Sequence, residues 1–309
     1  MKNLIVFLVA CLSAISAMGQ NGRRVIVEQK YALKNAKLLD SSEINIAIPK
    51  DYKGRQVIND ITYSIKPKFI YKVGEVSYAQ FALDKRDLQK TDSIIILIDM
   101  TISPYDLGVA KVSPEVKKLS KRKRKEYLKT NGFYELPEFD EIAVYGENKE
   151  TDNLNLVSDI QGFVEKTISY QSFFGKDLGP KYALQNGKGD CTEYSDLMIA
   201  LCRVNNLPAR RVSGYTVKRE SNDALSKIFK FGSHAWVEVY FEGMGWVPFD
   251  PTHSDDSRST SFEHLQTKYV YYGYDENSKI TDFWKYWGPG QFQVKRKTFV
   301  RDFDQVPGI

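Results

Sequence analysis

Cys191 lies where a glycine-containing loop, Gly187–Cys191, meets the start of a predicted helix. The unpaired amides and the dipole at a helix N-terminus favour the thiolate form of a cysteine, and the thiolate is the nucleophile. A cysteine nucleophile also needs a base that accepts its proton and, commonly, a third group that orients the base. Cys191 is therefore a candidate nucleophile whose partners lie elsewhere in the chain.

His234 is the candidate base. Residues 234–241 alternate in the manner of a β-strand, in which successive side chains point to opposite faces. One face carries His234, Trp236, Glu238 and Tyr240, and the other carries Ala235, Val237, Val239 and Phe241. The second face is apolar and predicts core, so His234 lies on the polar face, where it can reach a cleft.

Asp250 is the candidate orienting carboxylate. A loop at 242–245 turns the chain back, which returns Asp250 to the neighbourhood of His234. Simple pairing across this loop sets Asp250 opposite Val237, on the face away from His234. Pro248 cannot donate to a strand ladder and favours a bulge that would correct the register, so the pairing stays open.

Each of these residues also has a structural interpretation: a core cysteine, a strand histidine and a turn aspartate before proline. Together, Cys191, His234 and Asp250 supply the nucleophile, base and orienting group of a minimal cysteine triad. Cys202 lies eleven residues after Cys191, about 16 Å further along a helix, which is too far for a disulfide. We expect Cys202 to be a buried, small apolar side chain.

The sequence around these residues resembles the transglutaminase-like superfamily over about residues 155–255. The similar blocks are Gly189–Cys191 with Ala200–Arg203 and Leu207–Tyr215, then His234–Val239, then Gly245–Thr252. The resemblance implies a papain-like fold with Cys191, His234 and Asp250 as its triad. It also implies an exported bacterial type with an N-terminal β-sandwich. Asn206 stands where many relatives have glycine. Members of this superfamily include cross-linking enzymes, proteases, amidases and inactive domains, so the resemblance leaves the reaction open.

The elements that must position the site divide the chain in two. Short β-branched and aromatic segments up to about residue 102 predict a β-sandwich, and the apolar run 94–98 predicts a strand covered on both faces. Helical periodicity over 153–167 and a helix from Cys191 to about Asn205 precede further strands. The predicted fold class is α+β: an all-β sandwich-like domain over 20–150, and a papain-like, transglutaminase-like catalytic domain over 151–309.

Residues 1–19 predict a secretory signal peptide. A single positive charge at Lys2 precedes an apolar stretch, Leu4–Ile15, and small residues precede a cleavage point after Gly19. The alternative is a lipoprotein signal at Leu8–Cys11, which would anchor the chain through Cys11. Either reading predicts export, to the periplasm or the extracellular space.

Composition limits the partners. With 42% hydrophobic residues, the 309-residue chain is long and apolar enough to bury a core, and about two domains are expected. Three cysteines and three scattered histidines suggest neither a disulfide framework nor a metal cluster, so no cofactor is predicted. After the leader, no apolar run reaches the roughly 18 residues of a transmembrane segment.

One segment carries the positive charge. Eight lysines and arginines against two glutamates give residues 114–129 a net charge of +6, whereas the whole chain carries +5. A helix is predicted near 114–130. It is either a solvated surface or a contact for an anionic polymer of the cell envelope. Nucleic-acid binding fits poorly with export.

The predicted activity is attack on a peptide or isopeptide carboxamide by Cys191. Hydrolysis is favoured over cross-linking, because water is the default acceptor and the sequence reveals no amine site. The alternative is a non-catalytic binding or scaffold protein in which the sandwich makes the contacts.

Overall fold

The computed structural model of the protein describes nine stretches of the chain. They are residues 22–106, 118–137, 153–173, 177–219, 229–252, 264–265, 269–275, 284–288 and 292–303. The predicted leader at 1–19, with the alternative signal at Cys11, lies outside them. Within these stretches no helix is both long and apolar enough to cross a membrane.

The first part of the chain, together with its last two strands, forms a sandwich of two four-stranded antiparallel sheets. In spatial order, one sheet contains β16 (Gln293–Phe303), β1 (Arg23–Lys34), β6 (Ser93–Ile102) and β3 (Gln56–Tyr63). The other contains β15 (Trp284–Trp287), β2 (Ser41–Ile48), β5 (Val76–Asp84) and β4 (Phe69–Val73). A short helix, α1 (Lys85–Lys90), connects β5 to β6.

Alternating side chains build the sandwich core. Val25, Val27 and Tyr31 of β1 are buried, as are Ile44 and Ile46 of β2. Residues at every second position of a strand share a face, so the two sheets bury these inner faces against each other.

The apolar run of β6 does not have two covered faces. Ile94, Ile96 and Ile98 are fully buried, but Leu97 between them is 39% exposed. The expectation of a strand covered on both faces is therefore wrong. An uninterrupted apolar run fits a strand with only one core face, because isolated apolar residues are common on protein surfaces.

The last two strands of the chain belong to the sandwich. β16 pairs with β1 along eleven residues, from Arg24 opposite Phe303 to Lys34 opposite Gln293. β15 pairs with β2, with Trp287 opposite Glu43. The predicted division at residue 150 therefore does not separate the two sets of sheets. Pairing between strands more than 200 residues apart leaves no local pattern in the sequence.

The rest of the described chain forms a mixed unit of helices and one four-stranded antiparallel sheet. The helices are α3 (Asn153–Thr167), α4 (Gly179–Asn186) and α5 (Cys191–Val204). The sheet runs, in spatial order, β12 (Gly245–Phe249), β11 (Phe229–Phe241), β10 (Ala209–Arg219) and β14 (Tyr269–Asp275). The unit also contains two separate two-stranded sheets. In one, β7 (Tyr105–Asp106) pairs with β13 (His264–Leu265), and in the other, β8 (Ser169–Tyr170) pairs with β9 (Lys188–Gly189).

Helix α5 packs on one face of this sheet. Val237, Val239 and Val247 from the sheet share a buried cluster with Leu197 and Leu201 of α5. The structure is thus α+β with an all-β region, as the sequence predicts.

The sandwich contacts the sheet at its edge strand, β14. The side chain of Gln56 bonds to both the amide and the carbonyl of Tyr271, and the Tyr52 ring stacks on the Tyr271 ring at 4.0 Å. Gln29 donates to the hydroxyl of Tyr272. These buried contacts join the two units along β14.

The basic segment forms a shorter helix than the sequence predicts. Helix α2 covers Lys121–Tyr127, and the Ser120 side chain caps it by accepting from the Lys123 amide. The predicted start at Pro114 lies outside the described residues, and residues 118–120 are not helical.

Candidate active site

Cys191 is the first residue of α5, and Asp190 is its N-cap. The Asp190 side chain accepts from the Thr192 amide at 3.0 Å, while its other oxygen accepts from the Phe173 amide at 3.3 Å. The carboxylate of Glu193 accepts in return from the Asp190 amide, which completes a capping box. The cap fixes the orientation of the first helical turn and therefore of the Cys191 thiol.

Glycine at position 189 lets the loop come close to the helix. A Cβ atom added to Gly189 would collide with the Cβ of Glu193. Glu193 is buried, and one of its oxygens also accepts from the Leu178 amide at 3.0 Å. Burial raises the pKa of this carboxyl, while the two backbone donors oppose the rise. Glu193 thereby ties the loop before Cys191 to the start of α4.

A buried ion pair anchors α5 to the sheet. Arg211 of β10 contacts both oxygens of Asp196 at 2.9 and 3.1 Å, and the same nitrogen contacts Asp177 at 3.1 Å. Asp196 lies five residues after Cys191 and is fully buried. Such a pair holds helix and strand in one arrangement, because removing one partner would leave an uncompensated buried charge.

His234 and Asp250 are in direct contact. The His234 Nε2 lies 2.7 Å from Asp250 Oδ2, and both residues are buried, at 7% and 4% exposure. This contact leaves Nδ1 as the ring nitrogen available to a thiol. The Cys191 side chain is a hydrogen-bond partner of the imidazole. The three residues predicted from the sequence are thus brought together.

The strand register that produces this contact differs from the predicted one. Gly245 pairs with Phe241, so the turn contains 242–244, and the register then runs continuously to Val237 opposite Phe249. One further step sets Asp250 opposite Trp236, on the same face as His234. The pairing that the sequence left open is therefore one residue away from the simple pairing opposite Val237, and no bulge at Pro248 is required. Gly243 and Gly245 have φ angles of 83° and 84°, which allow the tighter turn.

Two further groups hold Asp250. The Thr252 amide donates to Oδ1 at 3.0 Å, and the Tyr269 hydroxyl donates to Oδ2 at 2.5 Å. Tyr269 lies on β14 and is almost completely buried. Sequence reasoning missed it, because its approach depends on β14 pairing with β10 and not with β11, which no local pattern indicates.

The electrostatics of His234 favour a charged ring. Burial is the largest influence and lowers its pKa, but Asp250 and then Cys191 outweigh burial. The net result raises the pKa of His234 from 6.5 to about 10. At neutral pH an imidazolium beside Asp250 would stabilise a thiolate on Cys191.

Residues 140–251 match the family model of the transglutaminase-like superfamily. Over this stretch the chain is similar to transglutaminase-like domains. This match confirms the resemblance drawn from the motif blocks. The matched stretch includes the strand of His234 and ends one residue after Asp250.

Relatives extend this similarity. The uncharacterized protein YebA of Bacillus subtilis (strain 168) is 27% identical over 48% of this chain and 22% of its own length. A protein-glutamine gamma-glutamyltransferase of Pseudomonas aeruginosa (strain PAO1) is 33% identical over 26% of this chain and 12% of its own. The chain thus spans less than a quarter of either curated relative.

One solved structure shares the whole architecture. A proposed cysteine protease from Cytophaga hutchinsonii superposes with a TM-score of 0.62 and covers 92% of both chains, at 15% sequence identity. This similarity shows the fold, with the sandwich and the transglutaminase-like domain together.

Tyr170, Trp236 and Cys202 differ in their exposure and in their relation to the site. Tyr170, 62% exposed, lies close enough to Cys191 to interact with its charge. Trp236 is buried against Tyr269, with ring centroids 5.3 Å apart, so it supports the site from within. Cys202 is fully buried, and burial raises its thiol pKa to about 12, as expected for an apolar core side chain.

In the described stretches, no group of three or more His, Cys, Asp and Glu side chains is placed so that it could hold a metal ion. His264 lies on β13, and His253 lies outside the described residues.

Proposed function

We propose that the protein is an exported cysteine-nucleophile enzyme that attacks peptide or isopeptide carboxamides through Cys191, His234 and Asp250. The observation that carries this proposal is the 2.7 Å contact between His234 and Asp250. The Cys191 side chain is a further hydrogen-bond partner of the His234 ring. A scaffold protein has no need of this arrangement.

The steps follow from the geometry. The Cys191 thiol gives its proton to His234, and the thiolate attacks the carboxamide carbon. The Cys191 amide, at the helix start, can donate to the oxygen that becomes negative in the tetrahedral intermediate. The His234 imidazolium then protonates the leaving amine, and an acyl-thioester remains on Cys191.

The acyl group can pass to water or to an amine. We favour water, which makes the protein a protease or amidase. Transfer to an amine is the second candidate, because one relative of the domain is named a protein-glutamine gamma-glutamyltransferase. We include export in the proposal because residues 1–19 have the pattern of a secretory signal peptide. Export would place the enzyme in the periplasm or outside the cell.

One experiment separates these possibilities. The purified protein is incubated with casein and with a glutamine-containing peptide, in the presence and absence of a labelled primary amine. Hydrolysis predicts new peptide termini or released ammonia whether or not the amine is present. Cross-linking predicts incorporation of the labelled amine.

Two variants control this assay. Cys191→Ala should show neither activity, whereas Cys202→Ala should keep the activity of the wild type. If Cys191 also reacts with iodoacetamide no faster than a free thiol between pH 5 and pH 7, the protein is a scaffold and not an enzyme.

A further inference from the structure

An open groove runs along α2, far from the candidate active site. Its volume is about 550 Å³. We call it the basic groove; its lining residues are Lys121, Arg124, Lys125, Leu128, Lys129, Thr130 and Asn131.

Four of the seven lining residues are cations, and none of the seven is acidic. The cations occupy helical positions i, i+3, i+4 and i+8, which lie on one side of a helix and its extension. Within α2, Lys121 to Lys125 span about 6 Å at the helical rise of 1.5 Å per residue, and Lys129 extends the row beyond the helix. The groove therefore presents a row of positive charge and not a single point charge.

Two carboxylates of the described residues near α2 pair with lysines outside the groove. Glu126 pairs with Lys123 at 3.4 Å, and Glu242 pairs with Lys118 at 3.3 Å. Neither Lys118 nor Lys123 lines the groove. Neither of these two ion pairs therefore uses a lining cation.

The groove is built onto the transglutaminase-like domain. Arg124 donates to the carbonyl of Asn206 at 3.3 Å, and Arg203 donates to the carbonyl of Lys129 at 2.8 Å. Tyr127 is buried edge-on against Trp246, with ring centroids 4.8 Å apart. These contacts fix α2 at the C-terminal end of α5, about 20 Å from Cys191 at 1.5 Å per residue.

We propose that the basic groove binds an acidic polysaccharide chain and holds the enzyme on it. An extended polyanion can lie along this row of cations and contact them one after another. Thr130 and Asn131 add neutral hydrogen-bonding groups that suit sugar hydroxyls. Leu128 is the single aliphatic lining residue, and the lining includes no strand that could pair with a peptide backbone. This chemistry favours a glycan over an acidic peptide.

The test measures binding to polygalacturonate by the full chain. The groove variant is Lys121→Gln/Lys125→Gln/Lys129→Gln, which leaves Arg124 and its bond to Asn206 intact. The matched control is Lys53→Gln/Lys66→Gln/Lys72→Gln, which removes three exposed lysines from the sandwich and changes the net charge equally. We expect the groove variant to bind about tenfold more weakly, or roughly 1.4 kcal/mol. The control should bind like the wild type.

Salt and competitors complete the test. Wild-type binding should weaken steeply between roughly 50 and 200 mM salt, because the screening length shrinks toward 8 Å. Equal binding by the two triple variants overturns the proposal, provided that both melt at the wild-type temperature. Tighter groove-dependent binding of polyglutamate would also overturn it, in favour of an acidic peptide. Cys191→Ala should bind like the wild type, so failure of the proposed chemistry and failure of the groove are distinguishable.

Discussion

The Tyr269 hydroxyl donates to the same oxygen of Asp250 that contacts His234. The two distances to Oδ2 are 2.5 Å from Tyr269 and 2.7 Å from His234 Nε2. The Thr252 amide holds the other oxygen at 3.0 Å. The carboxylate cannot rotate without breaking all three contacts, so Tyr269 acts on His234 through Asp250.

Tyr269→Phe should therefore slow the acyl transfer while leaving KM nearly unchanged. A hydrogen bond to a charged group contributes about 1.5–3 kcal/mol, which corresponds to roughly a tenfold to hundredfold loss of kcat. Removing the donor also leaves more of the carboxylate's charge facing His234. The pKa of His234 should accordingly rise further, and the pH profile of Cys191 alkylation should report that change. Tyr271→Phe is the control, since it removes a hydroxyl from the same strand at a residue that stacks on Tyr52. Identical pH profiles for both variants would reduce Tyr269 to a packing role.

The two described cysteines should separate activity from stability. Cys191→Ala should abolish acyl transfer and leave the unfolding midpoint almost unchanged, because the position is only partly buried at a helix start. Cys202→Ala should cost roughly 1–2 kcal/mol of unfolding free energy and preserve activity. Urea unfolding and turnover are measured on the same preparations. Residual turnover in the first variant would remove Cys191 from the nucleophile role.

Asp250→Asn should preserve the fold and slow the reaction by about a hundredfold or more, because an amide can hold the wrong tautomer of His234. His234→Ala should reduce kcat as strongly as loss of Cys191, since residues that act as a unit are not additive. The kcat values of Asp250→Asn and His234→Ala are compared with that of the double variant Asp250→Asn/His234→Ala. A double variant much slower than either single one would show that the residues act independently.

The sequence predicted what local patterns encode. The periodicity over 153–167 matches α3 residue for residue, and the glycine loop before Cys191 marks the start of α5. The alternation in 234–241 places Val237 and Val239 in the core beneath α5. In each case a side-chain period or a cap determines the element.

Pairing between distant strands could not be predicted in this way. The Asp250 register depended on whether Gly245 belongs to the turn or to the strand, and a one-residue change reverses the face. The closure of both sandwich sheets by β15 and β16, and the approach of Tyr269 to Asp250, depend on the tertiary fold.

The His234–Asp250 pair should make stability depend on pH. The pKa of His234 is raised from 6.5 to about 10, so its contribution to stability is complete below pH 6.5 and is lost as the pH rises through about 10. The unfolding free energies of the wild type and of His234→Gln are compared from pH 6 to pH 10.5. Their difference should favour the wild type most at pH 6 and should shrink toward pH 10, because other titrating groups are common to both. A difference that stays constant over this range would show that the folded histidine is neutral.

The buried Arg210–Glu238 ion pair joins β10 to β11 and should contribute to stability at the place where the sandwich contacts the sheet. Glu238 accepts from Arg210 at 2.7 and 2.8 Å and also from the Tyr52 hydroxyl of the sandwich, and both charged side chains are at most 5% exposed. Arg210 lies between the Trp246 and Tyr274 rings, 3.9 and 3.6 Å from their centroids.

Glu238→Gln should cost about 3–5 kcal/mol of unfolding free energy, because it leaves Arg210 buried without a counter-charge. The control is Asp40→Asn, which breaks the Lys85–Asp40 pair, whose side chains are 62% and 87% exposed; it should leave the unfolding midpoint unchanged. The double variant Arg210→Met/Glu238→Leu should recover part of the loss, since it removes both charges. If Glu238→Gln and Asp40→Asn unfold at the same urea concentration, the buried ion pair does not contribute to the stability of the protein.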